Sequence, residues 1–221
     1  MAFEDRVDAG RKLAAALASY KDKAPAVLAL PRGGVPVAAE IATALAAPLD
    51  LILVRKIGVP GNRELAMGAV VDGATPIVVR NDDVIQFTGT TESEFKAVCD
   101  RELEEIDRRR VRYLGGRERV NLAGRTAIVV DDGIATGATM RAVLQATRAR
   151  NPGKLILAVP VAPTDTLVTL RKEVDDLICL EDHEAFGAIG YYYLDFSQIS
   201  DDEVIEILKR FPSSTTRTTA A

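Results

Sequence analysis

Short runs of apolar residues alternate with longer segments of three-to-four-residue periodicity along most of this chain. The runs at 26–30, 49–54, 77–79, 126–130, 155–159 and 177–180 have the length of strands. Most are unbroken Val, Ile, Leu and Ala, the pattern of strands buried on both faces. Between and around them, 6–20, 35–45, Glu92–Leu114, 138–150 and 166–172 read as helices. A last helix at 201–210 is announced by Ser200 and Glu203 in capping-box spacing. The alternation predicts βαβ units and an α/β fold, with an open, mainly parallel sheet of about five strands and helices on both faces.

The longest helix has Phe95, Cys99, Leu103 and Ile106 on one face, and Glu104 and Glu105 four residues before Arg108 and Arg109. Its run Arg108–Arg109–Arg110 therefore reads as a solvated face neutralised by the preceding acids, not as a nucleic-acid contact. No composition shift marks a linker, so residues 1–211 read as one domain. Residues 212–221 (Pro-Ser-Ser-Thr-Thr-Arg-Thr-Thr-Ala-Ala) read as a disordered tail.

Composition narrows the function classes. Residues of the hydrophobic class make up 48% of the 221 and charged residues 27%, a globular balance. Lys plus Arg number 28 against 32 for Asp plus Glu, a net charge of −4. This argues against a protein that lives on nucleic-acid backbones. Cys99 and Cys179 are far apart and His183 is the sole histidine, so there is no zinc-ligand spacing. No apolar run approaches the roughly 20 residues that span a bilayer, and no secretory leader is visible. The expectation is a cytoplasmic protein.

The candidate chemistry gathers where strands end. The strand at 126–130 runs into Asp131 and Asp132, then a turn containing Gly133, Ala135, Thr136 and Gly137, then a helix opening with Ala138 and Thr139. Backbone N–H groups of such a turn and helix N-terminus form a concave donor site for a phosphate. The two carboxylates cannot bind that phosphate; they suit the hydroxyls of an attached sugar, or Mg²⁺ beside it. There is no Gly-Lys-Ser/Thr and no G-x-G-x-x-G here, which excludes a Walker A loop and a dinucleotide fingerprint.

The stretch Val-Val-Asp-Asp-Gly-Ile-Ala-Thr-Gly-Ala-Thr resembles the phosphoribosyl pyrophosphate signature of the type I phosphoribosyltransferases. The resemblance extends over most of the chain from about Leu30 to Phe196. It implies that Asp131 and Asp132 hold the ribose hydroxyls and that 135–139 cradle the 5′-phosphate. Pro31-Arg32-Gly33-Gly34, after the first strand, is similar to the family's pyrophosphate loop, which often carries a non-proline cis peptide. Arg55-Lys56-Ile57-Gly58-Val59-Pro60-Gly61 is similar to the segment opening a flexible catalytic loop in adenine phosphoribosyltransferases. Glu64 is the nearest match to that loop's glutamate. The expected mobile loop covers 58–67, and Arg32, Gly33, Gly34, Arg55 and Lys56 are the expected pyrophosphate ligands. Phe186 with Gly190, Tyr191, Leu194, Asp195 and Phe196 is similar to a base-binding hood, contributed mainly by 181–200. Phe186 is then a base-stacking candidate or a plain core residue, and Asp195 a candidate, with Asp131 and Asp132, for holding Mg²⁺. The tyrosines at 191–193 read as a hairpin or core edge, and His183 as structural or catalytic.

By that resemblance, the chain is an Mg²⁺-dependent transferase. It passes the 5-phosphoribosyl group of phosphoribosyl pyrophosphate to a nucleobase or similar nitrogen nucleophile, and works as a homodimer. Ala135 stands where the 6-oxopurine enzymes carry an aspartate, as in the adenine type, whereas the hood resembles the hypoxanthine type. Two alternatives remain: a non-catalytic regulator that retains the binding site, and a hydrolase of a phosphorylated sugar on the same fold.

Overall fold

The structure, a computed structural model, describes residues 2–73 and 75–211; the tail expected at 212–221 lies outside them. The described chain begins with α1 (Arg6–Ala16), β1 (Pro25–Ala29), α2 (Gly34–Leu45) and β2 (Leu49–Leu51). It continues through β3 (Val54–Val59), β4 (Asn62–Val71), β5 (Ile77–Arg80), α3 (Asp82–Thr88) and α4 (Glu92–Leu114). Then follow β6 (Thr126–Val130), α5 (Ala138–Arg148), β7 (Lys154–Pro163), α6 (Thr164–Leu170), β8 (Asp176–His183) and α7 (Asp201–Lys209).

Five strands form a parallel sheet in the order β2-β1-β6-β7-β8. β1 and β6 are buried along their whole length, and period-two alternation divides their side chains between two cores. Val27, Ala29, Ile128 and Val130 pack with α1, α2, α4 and α7 on one face. Ala26, Leu28, Ala127 and Val129 pack with α5 and α6 on the other. The expected α/β architecture is present. The order also reverses direction between β1 and β6: the chain winds outward from β1 to β2, then from β6 to β7 and β8. Ligands of open parallel sheets bind in the crevice beyond the strand ends at such a reversal.

Three expectations need correction. The strand expected over 49–54 stops at Leu51. After Leu53, whose carbonyl accepts from the Asp72 N–H, the chain enters a separate antiparallel sheet, β3-β4-β5. The segment 58–67 is therefore a hairpin turning at Pro60–Gly61, not an irregular loop, and 77–79 belongs to this sheet instead of the parallel one. The physical reason is burial. Ile57, Met67 and Val70 sink into the core beside Phe95 of α4, while Gly61 takes the positive φ of +80° that the tight turn requires. Tyr191 and Tyr192 end a 3₁₀ turn over Ile189–Tyr192 and Tyr193 follows it, extended and buried, so the tyrosines form a core edge and not a hairpin. In α4, Arg108 and Arg109 both bind Glu105 of the same helix, while Arg110 lies 3.4 Å from Asp72 just after β4.

Ile128 is fully buried at the middle of β6, the strand that presents the acid pair. Ile128→Ala should lower unfolding free energy by about 2–5 kcal/mol, read as a lower urea midpoint at unchanged slope.

Candidate active site

The segments singled out at strand ends meet at the reversal point. β1 and β6 are paired in register from Pro25↔Thr126 to Ala29↔Val130, and the Leu30 N–H donates to the Val130 carbonyl at 3.0 Å. The loop 31–34 and the acid pair thus leave the sheet side by side. A non-proline cis peptide joins Pro31 and Arg32, at the position the resemblance implies. The two glycines are there because the acids are close. A Cβ on Gly33 would lie 1.9 Å from Asp132 Oδ2, and one on Gly34 would lie 2.9 Å from Asp131 Cα.

The phosphate loop follows directly. Ala135, Thr136, Ala138 and Thr139 are exposed, Gly133 and Gly137 are buried, and α5 starts with no side-chain cap. Gly137 holds a left-handed φ of +72°, which lets the chain turn so that the first N–H groups of α5 face outward. Those donors have no intrahelical acceptor and the positive end of the helix dipole lies with them, so the loop suits an anion. Thr166 steadies it, its Oγ1 donating to the Ala135 carbonyl at 3.2 Å.

The acid pair is not two freely exposed carboxylates. Asp132 is buried and its Oδ2 accepts from Arg6 Nε at 2.8 Å, while its carbonyl accepts from the Tyr193 hydroxyl at 2.6 Å. Asp131 is half-buried and its Oδ1 accepts from the Asp132 N–H at 2.9 Å. Burial, and then the neighbouring Asp132 charge, hold the Asp131 carboxyl well above the usual range. Burial also raises Asp132, against the pull of the Arg6 guanidinium.

Across from the phosphate loop, the antiparallel sheet and α5 enclose a cleft of about 820 Å³ lined by Lys56, Glu64, Arg80, Thr136, Thr139 and Arg141. Lys56 Nζ donates to the Glu64 carbonyl at 3.1 Å and lies 3.6 Å from its carboxylate. Arg55 does not join it. Neighbours on a strand point to opposite faces, and Arg55 binds Glu102 of α4 at 2.8 Å, away from this cleft. Arg32 is about one-third exposed, its guanidinium 3.7 Å from Asp201. Phe186 stacks on Tyr192, which stacks on His183. Asp195 is exposed and accepts from the Ser197 N–H at 2.9 Å; among the described residues no three His, Cys, Asp or Glu side chains cluster as metal ligands.

Sequence reasoning missed Arg6, Tyr193, Arg80 and Arg141 as residues of these surfaces. Arg6 had a readable signal: it heads the stripe Arg6, Ala9, Gly10, Leu13 that α1 buries, and an arginine in an apolar stripe needs a buried anion.

Comparison with known proteins agrees with this geometry. The family model for the phosphoribosyl transferase domain matches residues 2–196. The chain belongs to that family, with the type I fold. Two provisionally named phosphoribosyl transferases of Mycobacterium tuberculosis, MT0597 and Rv0571c, are each 48% identical over 208 residues. That alignment covers 94% of this chain and 46% of each relative, so the chain spans about half their length. The crystal structure of TT1426 from Thermus thermophilus superposes with a TM-score of 0.83 at 38% identity, covering 96% of this chain and 100% of that one. AQ2163 from Aquifex aeolicus shares the fold at a TM-score of 0.51 and 11% identity, over 94% and 86% of the two chains. No helix among the described residues is long and apolar enough to cross a membrane.

Gly33 has ordinary helical dihedrals, φ −62° and ψ −35°, so Gly33→Ala tests the contact with Asp132 alone. It should lower the melting temperature by several degrees, corresponding to about 1–3 kcal/mol of overpacking. A second prediction concerns pH. An acid whose value is raised by folding binds its proton more tightly in the folded state, so its contribution to stability declines as pH rises toward neutrality. Asp131→Asn should therefore be more stable than wild type at pH 7, with the margin closing toward about pH 3, below the unfolded-state value, where the acid is protonated in both states. Urea midpoints at the two pH values measure this.

Proposed function

We propose that the chain transfers the 5-phosphoribosyl group of phosphoribosyl pyrophosphate to a nucleobase or similar nitrogen nucleophile, releasing pyrophosphate. The observation that carries this reading is the adjacency of three surfaces at one reversal point: an uncapped phosphate loop, a strand-end carboxylate and a glycine loop with an arginine. Spaced along one crevice, they match the sequence of groups on the substrate, namely 5′-phosphate, ribose hydroxyls and pyrophosphate.

In this reading the backbone N–H groups of 135–139 and the hydroxyls of Thr136 and Thr139 take the 5′-phosphate. Asp131 accepts from the ribose. Arg32 and the backbone at Gly33 and Gly34 take the pyrophosphate, and Lys56 reaches it from the hairpin. The reaction breaks the bond between C1′ and the pyrophosphate oxygen and forms one from C1′ to the acceptor nitrogen, so positive charge develops on the ring while negative charge gathers on the leaving group. Fixed cations and N–H donors aimed at that group stabilise the transition state. Closure of the hairpin over the cleft would exclude water as a competing acceptor.

Mg²⁺ fits this donor set in a limited way. The cation needs only one or two protein carboxylates when substrate phosphates and water complete its shell. Asp131 offers a partly buried carboxylate without such a tie, whereas Arg6 occupies Asp132 and Ser197 holds Asp195. Asp131 would thus hold a cation carried mainly by the substrate, which would supply charge neutralisation at the pyrophosphate. The free state of Cys99 and Cys179 supports a reducing compartment such as the cytosol.

The test is pyrophosphate release from phosphoribosyl pyrophosphate and Mg²⁺ across a panel of nucleobases. Base-dependent release supports the transferase. Release that ignores the base supports a hydrolase, and binding without turnover supports a regulator; either outcome overturns the proposal. Lys56→Met should lower turnover on the accepted base by about 10- to 100-fold while the fold is retained, since Lys56 is exposed and acts on charge that grows in the transition state.

A further inference from the structure

We propose that Arg6 is a positioning residue that withdraws Asp132 from the substrate, so that the ribose is gripped by Asp131 alone; this rests on the phosphoribosyl-binding reading above. The resemblance implies two equivalent acids, but the geometry makes them unequal. Arg6, the first residue of α1, is buried and spends its guanidinium on three partners. Nε donates to Asp132 Oδ2 at 2.8 Å, Nη1 donates to the Ser197 carbonyl at 2.8 Å, and the guanidinium carbon lies 3.9 Å from the centre of the Phe196 ring. Asp132 is held from the other side as well. Tyr193 donates to its carbonyl, and the 31–34 loop lies against its carboxylate so closely that only glycine fits at position 33. Asp131 has none of these ties to α1 or to 193–197: it is partly buried, and its Oδ1 accepts one N–H from its own neighbour.

Charge gives the reason for such an arrangement. The substrate carries phosphate at both ends, and two bare carboxylates at its middle would repel it. A single arginine cancels one of them, leaving one negative group to accept hydrogen bonds from the sugar. Arg6 is suited to this because its planar fork serves Asp132 and Ser197 at once while its face covers Phe196, which lysine cannot reproduce. The same contacts bind the start of α1 and the segment 193–197 to the acid pair, so the walls of the crevice and the ribose grip are set together.

Calorimetric titrations with ribose 5-phosphate, 2-deoxyribose 5-phosphate and 3-deoxyribose 5-phosphate, run beside melting curves, test this on the full chain. The readout is the preference for ribose over the deoxy sugars, which a purely structural change would not alter. Wild type should prefer ribose 5-phosphate by about tenfold or more over at least one deoxy analogue, the order of one or two hydrogen bonds. Asp131→Asn should reduce that preference to about threefold or less without lowering the melting temperature. Arg6→Gln with Asp132→Asn, which removes both halves of the ion pair, should keep it within about threefold of wild type. Arg6→Lys, a milder change, should melt earlier and also keep it. Loss of the preference in either Arg6 variant, with Asp131→Asn retaining it, overturns the proposal and makes Asp132 the ribose ligand. Absence of ribose 5-phosphate binding by wild type overturns the phosphoribosyl reading itself, a separate and recognisable failure.

Discussion

The in-register pairing of β1 with β6 is the constraint on which the rest of this molecule depends. It brings two loops that are about a hundred residues apart in sequence to adjacent points on one sheet edge. Each loop then shapes the other: glycine is required at 33 and 34 because the acids stand against them, and Asp132 is held down because that loop covers it. The reversal of strand order at this pair opens the crevice, and α5 points its N-terminus into the same space.

Electrostatics sets a second constraint. Two adjacent carboxylates at a largely buried strand end lose hydration, which raises both, and the Asp132 charge raises Asp131 further. Arg6 offsets part of that cost for Asp132. It does so from α1, the element farthest from β6 in chain order, so the first helix and the last part of the matched domain are joined through one guanidinium. An acid pair kept in this state points to function, since packing alone would favour apolar residues at the end of β6.

Much of this was legible from residue order. The unbroken apolar runs gave the parallel strands, and Glu92–Leu114 was readable to its ends because a Thr91–Glu94 capping box starts it and Gly115 stops it. The acid pair and phosphate loop were legible because strand, turn and helix are consecutive, so local chemistry determines the geometry. What escaped was non-local. The hairpin segment 58–67 reads as a mobile loop because polar, proline and glycine positions fill most of it, whereas the burial of Ile57, Met67 and Val70 against α4 holds it in place. Arg55 and Lys56 look like one cationic pair in sequence, yet a strand separates neighbours to opposite faces, so only Lys56 reaches the cleft. The burial of Asp132 depends on Arg6, more than a hundred residues away, and no local window contains both.

The most direct measurement of the central claim is a crystal structure of the chain grown with ribose 5-phosphate at saturating concentration. The expected result is density for the phosphate within hydrogen-bond distance of the backbone N–H groups of 136–139, with a ribose hydroxyl against the Asp131 carboxylate. An empty loop, or a sugar phosphate bound elsewhere with Asp131 untouched, would contradict the assignment of this crevice as the phosphoribosyl site.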